Sequence, residues 1–320
     1  MYKMFGRLKI TPRFVWIILF VCIVLWAIRG WFRKEEQVIF YSDENHYDAV
    51  LDELLKIRSP GSIGHYQVKT FLERELKSLG FQTKSEEVFE KFPITNVMGI
   101  INPNAKEFLL LSCHYDSKYM EEVDDYVGAT DAAVSCAILL NMAKTLGKYL
   151  RETFSKRIDM GLVLVFFDGH DTLEGINDGF VPLYGSRRFL TQEASILERI
   201  NLVVNLNLIG APEHIYISHY ENTNHFHEQL ADIEEDLKRS GQLTECHTLF
   251  YKITDYYSDF EDDIDPFIES GVPVLHIVPH TYPDVWHTNM DNLEHLYWPA
   301  IRNMNLIISR FVYEYMRSVK

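Results

Sequence analysis

Apolar and polar positions divide the chain into one long apolar run near the N-terminus and, after it, alternating strand-like and helix-like segments. Residues 14–28 are apolar without interruption, and Gly30-Trp31-Phe32 extends the run past Arg29. Downstream, apolar residues at helical spacing predict helices over 48–57, 66–79, 132–146, from about 187, 226–238, 262–270 and 298–315. Shorter apolar or alternating runs predict strands over 81–89, 96–102, 108–113, 162–167, 202–209 and 272–278. Gly80 stands where a helix-terminating glycine belongs. Strands alternating with helices predict an α/β fold: an open mixed, mostly parallel central sheet sandwiched between helices. No internal repeat or low-complexity segment interrupts it.

The run Leu162-Val163-Leu164-Val165-Phe166-Phe167 reads as a strand buried on both faces. It stops at Asp168-Gly169 and delivers His170 and Asp171 side by side. In open α/β sheets, ligands and chemistry sit at the carboxyl ends of the strands. The competing reading is a solvated turn tip. Other strand ends carry His114 with Asp116, Asn207, and Trp286-His287, and Asp131 follows a Gly-Ala-Thr turn. Catalytic zinc takes three protein ligands and keeps one position open. Asp131, Asp171 and His287 would supply that set from three loops, although spacing alone cannot validate ligands so far apart.

Composition narrows the function classes. The 320 residues are 47% hydrophobic and carry a net charge of −15, so a large core is expected and nucleic acid is excluded as a partner. Cys22, Cys113, Cys136 and Cys246 form no CxxC pair, which excludes a structural zinc knuckle. Lys3, Arg7, Lys9 and Arg13 precede the apolar run, and Trp16, Trp26 and Trp31 flank its ends as interfacial anchors do. The fifteen residues 14–28 fall short of the ~20 of a typical span, but Arg29 can snorkel, and a short span suits a thin early-secretory membrane. A cleaved signal peptide is the rival, yet bulky Trp31-Phe32 occupy the place of its small-residue cleavage site. The expected organisation is a cytosolic tail (1–13), a transmembrane signal-anchor (14–32), a stem (33–46) and a luminal domain (47–320).

A denser signal lies in the motifs Arg58-Ser59-Pro60-Gly61-Ser62, Cys113-His114-Tyr115-Asp116-Ser117-Lys118-Tyr119, Val127-Gly128-Ala129-Thr130-Asp131 and Phe166-Phe167-Asp168-Gly169. It continues in Leu183-Tyr184-Gly185-Ser186-Arg187, Asn207-Leu208-Ile209-Gly210-Ala211-Pro212, Asp262-Asp263, Gly271-Val272-Pro273-Val274-Leu275-His276 and Pro283-Asp284-Val285-Trp286-His287-Thr288. With these motifs in this order, the chain from about 51 to 315 resembles the animal glutaminyl-peptide cyclotransferases, the glutaminyl cyclases of the M28 zinc aminopeptidase-like superfamily.

The resemblance implies an open α/β sandwich with one catalytic Zn2+ that turns N-terminal Gln, and less readily Glu, of peptides into pyroglutamate. It makes Asp131, Asp171 and His287 the zinc ligands and puts Asp262 in the hydrogen-bond network at the reacting nitrogen. Trp286, Tyr282 and Asn207 would contact substrate, and Cys113 and Cys136 would form a disulfide. It further implies a Golgi or endoplasmic-reticulum protein of type II topology, expected to be monomeric.

Three positions depart from the family. His170 and Asp171 stand where the family has two glutamates, a general acid/base and then a zinc ligand. Asn207 stands where it has an aspartate interacting with the first of them. The loop 172–182 also lacks the family's tryptophan. Histidine transfers protons near neutral pH, whereas an amide neither accepts a proton nor holds charge. The primary reading is an active cyclase with His170 as general base. The alternative is an impaired pseudoenzyme that binds luminal peptides or regulates. A two-metal aminopeptidase is disfavoured because Asn207 removes a carboxylate that the second metal would need.

Overall fold

The computed structural model describes residues 40–89, 92–121, 123, 125–171, 183–212, 214–257 and 260–318. The tail, the anchor, the first part of the stem and the loop 172–182 therefore lie outside the described residues. The unit Phe40–Lys320 opens on α1 (Glu44–Leu54), where the Asp43 side chain caps the His46 N–H, and α2 (Ile63–Ser78), capped by Ser62. Strands β1 (Gln82–Phe89), β2 (Pro93–Ile101) and β3 (Glu107–His114) follow, then α3 (Val134–Thr145), α4 (Gly147–Glu152) and β4 (Met160–Phe167). Next come α5 (Tyr184–Gln192), α6 (Ala194–Leu197), β5 (Ile200–Leu206), β6 (Tyr216–Ser218) and α7 (Asn224–Arg239). The chain closes with β7 (Phe250–Thr254), α8 (Asp265–Glu269), β8 (Val274–Ile277) and α9 (Trp298–Ser318).

Six strands form the central sheet in the order β1-β2-β4-β3-β5-β8. β4, β3, β5 and β8 run parallel, while β1 and β2 are antiparallel additions at one edge. The expected mixed, mostly parallel sheet flanked by helices is what forms. β4 is buried at every residue, as its unbroken apolar run requires. On one face Phe167, Phe189 of α5 and Phe267 of α8 meet at ring separations of 5.7 to 6.1 Å. On the other, Cys113 of β3 meets Cys136 of α3. Burying each phenylalanine contributes roughly 1.5–3 kcal/mol.

The parallel register decides where the chemistry lies. His114 pairs with Phe167, Ser112 with Asn205, and Asn205 with His276. The carboxyl ends of β3, β4, β5 and β8 thus open on one edge, and each delivers polar residues there.

Two expectations need correcting. The helix expected over 132–146 begins at Val134, because Ala129–Ala133 form an irregular turn with Asp131 and Ala132 outside helical geometry. The small parallel pair β6–β7 was not anticipated: β6 has only three residues, and four of the five in β7 are exposed. Among the described residues no helix is long and apolar enough to cross a membrane. The long C-terminal helix α9 instead buries Asn303, Asn305 and Ser309, and Asn305 Oδ1 accepts from Asn141 Nδ2 at 3.1 Å.

Candidate active site

The turn before α3 is built around Arg58, a fully buried cation on the Arg-Ser-Pro-Gly-Ser loop. Its guanidinium donates to the carbonyls of Tyr115 (2.7 Å), Gly128 (2.8 Å) and Asp131 (3.2 Å), and to that of Val127. These bonds draw the 127–131 segment against the end of β3. Gly128 adopts φ +49°, and a Cβ there would lie 2.3 Å from the Asp131 carbonyl oxygen, so only glycine fits. The Asp131 carboxylate is held on both oxygens: His114 Nε2 is 3.0 Å from Oδ1, and the Tyr126 hydroxyl donates to Oδ2 at 3.0 Å. Burial opposes its charge, but hydrogen bonds from His114 and His287 outweigh this and hold its pKa well below the usual carboxylate range.

Asp131, Asp171 and His287 converge, with their ligand atoms within 4.8 Å of one another. His287 Nε2 lies 3.3 Å from Asp131 Oδ2 and 3.7 Å from Asp171 Oδ1. Zinc ligands at about 2.1 Å in a tetrahedron stand roughly 3.4 Å apart, so these separations fit a metal. Asp171 Oδ1 also meets Lys118 Nζ at 3.2 Å, while its Oδ2 is buried without a hydrogen-bond partner among the described residues. A buried carboxylate oxygen without a donor calls for a cation. His287 itself sits at φ +54°, a conformation costing about 1–2 kcal/mol in a non-glycine residue, and its ring is stacked on Trp286 at 3.7 Å. Strain tolerated at such a position is characteristic of a working site.

Beside the triad lies a second group. His170 Nδ1 is 3.1 Å from Asp263 Oδ2 and 3.7 Å from Asp262 Oδ1, and its ring stacks on His114 at 4.0 Å. Burial and the neighbouring His114 disfavour charge on His170, but Asp263 and Asp262 prevail and raise its pKa to about 9. Asp262 Oδ2 accepts from His276 Nε2 at 2.8 Å and from Asn207 Nδ2 at 3.0 Å. Both polar ends of Asn207 are engaged, since its Oδ1 accepts the Leu208 N–H at 2.8 Å. Tyr282 packs on Trp286 at 4.3 Å and on Phe260 at 5.0 Å, forming an aromatic wall beside His287.

The expected site residues thus meet in one place. Reading the sequence missed Arg58, Tyr126 and His276 as members. His276 had a signal, a lone histidine inside the apolar strand β8. Tyr126 had none.

Comparison with known proteins gives the site its family. The model of peptidase family M28 matches residues 96–312. Glutaminyl-peptide cyclotransferase of Drosophila melanogaster is 34% identical over 295 residues, covering 86% of this chain and 82% of that protein. The Bos taurus protein of the same name is 35% identical over 290 residues, covering 82% and 80%. The crystal structure of Macrostomum lignano glutaminyl cyclase superposes with a TM-score of 0.77 at 27% identity, covering 87% of this chain and 91% of that one. The chain belongs to the glutaminyl-peptide cyclotransferases of peptidase family M28.

As a member of that family it shows how its unusual residues are accommodated. Asp171, one methylene shorter than glutamate, still reaches the ligand cluster, because Asp116 Oδ2 accepts the backbone N–H of His170 (3.0 Å) and of Asp171 (3.4 Å) and draws the loop inward. Asn207 serves this cyclotransferase-family chain as a donor to Asp262. The expected Cys113–Cys136 disulfide is not formed here: both cysteines are free, with Sγ atoms facing each other 2.7 Å apart. The Cys136 thiol also contacts the His114 carbonyl oxygen at 3.1 Å, which ties the pair to the site.

Proposed function

We propose that this protein is a zinc-dependent glutaminyl-peptide cyclotransferase that converts N-terminal Gln of peptides to pyroglutamate with release of ammonia. The observation that carries this reading is the convergence of Asp131, Asp171 and His287 within 4.8 Å, next to a histidine held by carboxylates, in a chain of this family. Zinc held by those three residues supplies a Lewis acid for the γ-carbonyl and a positive charge that favours proton loss nearby. His170 takes a proton from the α-amino nitrogen and returns it to the leaving amide nitrogen. Asp262, fixed by His276 and Asn207, provides negative charge beside the substrate's amino group. Trp286 and Tyr282 form an apolar wall along the glutamine side chain and exclude water from the reacting atoms.

We infer one Zn2+ per chain, held by Asp131, Asp171 and His287; His170, Asp262 and Asp263 form a second group close enough to hold an ion, which this reading assigns to proton transfer instead. The apolar run 14–32 and its basic flank support a type II anchor that places the domain in the Golgi or endoplasmic-reticulum lumen. An oxidising lumen would also join Cys113 to Cys136.

The test uses the detergent-solubilised full chain and a Gln-initiated peptide. Ammonia release with loss of the free N-terminus is expected, and none from the N-acetylated peptide. Stoichiometric zinc without ammonia release would overturn the reading.

A further inference from the structure

His170 is restrained from three sides and left open on a fourth. Its backbone N–H donates to Asp116 Oδ2 at 3.0 Å, its ring lies on His114 with planes 10° apart, and its Nδ1 meets Asp263 Oδ2 at 3.1 Å. Its Nε2 has no hydrogen-bond partner among the described residues. In the neutral ring, which the charge of zinc beside it would favour, the nitrogen that binds a carboxylate carries the proton and the other presents its lone pair.

The two neighbouring carboxylates differ in how far they are committed. Asp262 is occupied: Oδ2 accepts from His276 and Asn207, and Oδ1 accepts the Asp263 backbone N–H at 2.7 Å. Asp263 is 1% exposed, gives Oδ2 to His170, and keeps Oδ1 without a partner among the described residues. Its one side-chain partner among them is therefore the imidazole. A carboxylate buried at the cost of desolvation and directed at a single ring nitrogen fixes that ring's tautomer and stabilises the imidazolium formed when the other nitrogen takes a proton.

We propose that Asp263 is the positioning residue for His170, and that the two act as a His–Asp pair at the place where the family has a glutamate. This rests on the cyclotransferase reading. As the α-amino nitrogen bonds to the γ-carbonyl carbon, Nε2 takes one proton from that nitrogen while the Nδ1 proton stays on the ring against Asp263. The bond from the same carbon to the amide nitrogen then breaks, and Nε2 hands the proton to the departing nitrogen, which leaves as ammonia. The pair ends the cycle as it began. Asn207 belongs to the same arrangement. An aspartate there would bring a second carboxylate within about 3 Å of Asp262, and like charges so close cannot both ionise.

The experiment compares Asp263→Asn in two backgrounds with zinc-loaded full chain. In the otherwise native chain kcat should fall about 10²-fold, with KM and bound zinc unchanged. In the His170→Glu background the same change should cost less than about 3-fold, because no imidazole remains to be oriented. Equal losses in both backgrounds, or an unaltered kcat in the first, would overturn the proposal. Nitrogen NMR of histidine-labelled native protein gives a reading that needs no variant to fold. Titrated in zinc-loaded protein until the ring is neutral, it should show His170 protonated on Nδ1 alone, and a neutral ring protonated on Nε2 alone would overturn the pairing. The tautomer is read without turnover, so an inactive protein with the Nδ1–H form would defeat the cyclotransferase reading and leave the pairing intact.

Discussion

Asp116 shows how much of this site depends on a residue that is neither ligand nor base. It is fully buried and, despite that burial, the hydrogen bond and charge of His114 keep its pKa below the ordinary carboxylate value. One of its oxygens gathers the backbone N–H groups of both His170 and Asp171, and its carbonyl meets His114 Nδ1 at 3.1 Å. Residues that orient ligands typically change metal affinity by about 10–100-fold when removed. Asp116→Ala should therefore weaken zinc binding by about that factor in competition against a chelating dye. Affinity within about 2-fold of native would show that the 170–171 loop holds itself. Asp131, Asp171 and His287 could be singled out in the chain because each follows a strand or a glycine turn, and the family resemblance joined them as one set. The partners of Asp131 could not: Arg58 is 73 residues away and acts through backbone carbonyls, which no side-chain pattern records.

Among the elements, the turn after β4 and the start of α5 pack backbone against backbone. A Cβ on Gly185 would lie 2.4 Å from the Asp168 carbonyl oxygen and 2.4 Å from Asn96 Oδ1, so this glycine lets α5 lie directly on the turn after β4. Asp168 is also fixed by His65 Nε2 at 2.8 Å, the Thr95 N–H at 2.7 Å and the Tyr115 hydroxyl at 3.1 Å. Gly185→Ala should cost about 1–3 kcal/mol in urea unfolding through overpacking. It should also lower turnover by displacing His170 and Asp171. An unchanged unfolding midpoint would mean that α5 can lift away without consequence. The strand itself was plain from its apolar run, as were the two N-terminal helices and the C-terminal one. What escaped was local geometry set by distant contacts, above all the turn before α3. There the hydrogen bonds to Asp131 override a helical pattern of small residues.

At the scale of the whole molecule, buried neutral histidines set an acid limit on stability. Burial lowers the pKa of both His214 and His219 from 6.5 to about 4, with the charges of His247 and His276 respectively acting in the same direction. Below pH 6.5 these two histidines take up protons in the unfolded chain that the folded one refuses, so their contribution to stability falls as the pH drops to about 4 and levels off beneath it. Each group contributes roughly 3 kcal/mol across that window. Asp265 and Asp291, each raised by burial to about 6, act in the opposite direction over the same range, so the test compares variants with chelator present throughout: relative to native, His219→Asn should lose less stability between pH 7 and pH 4.5. The same pH dependence in both proteins would contradict this. The central claim is that the triad makes the chain a zinc enzyme, and a metal titration tests it most directly: protein stripped of metal, returned zinc in steps, and assayed for ammonia from a Gln-initiated peptide. Activity should rise from baseline and saturate at one zinc per chain, with Asp171→Ala failing to respond. Turnover that survives stripping, or saturating zinc that restores none, would contradict it.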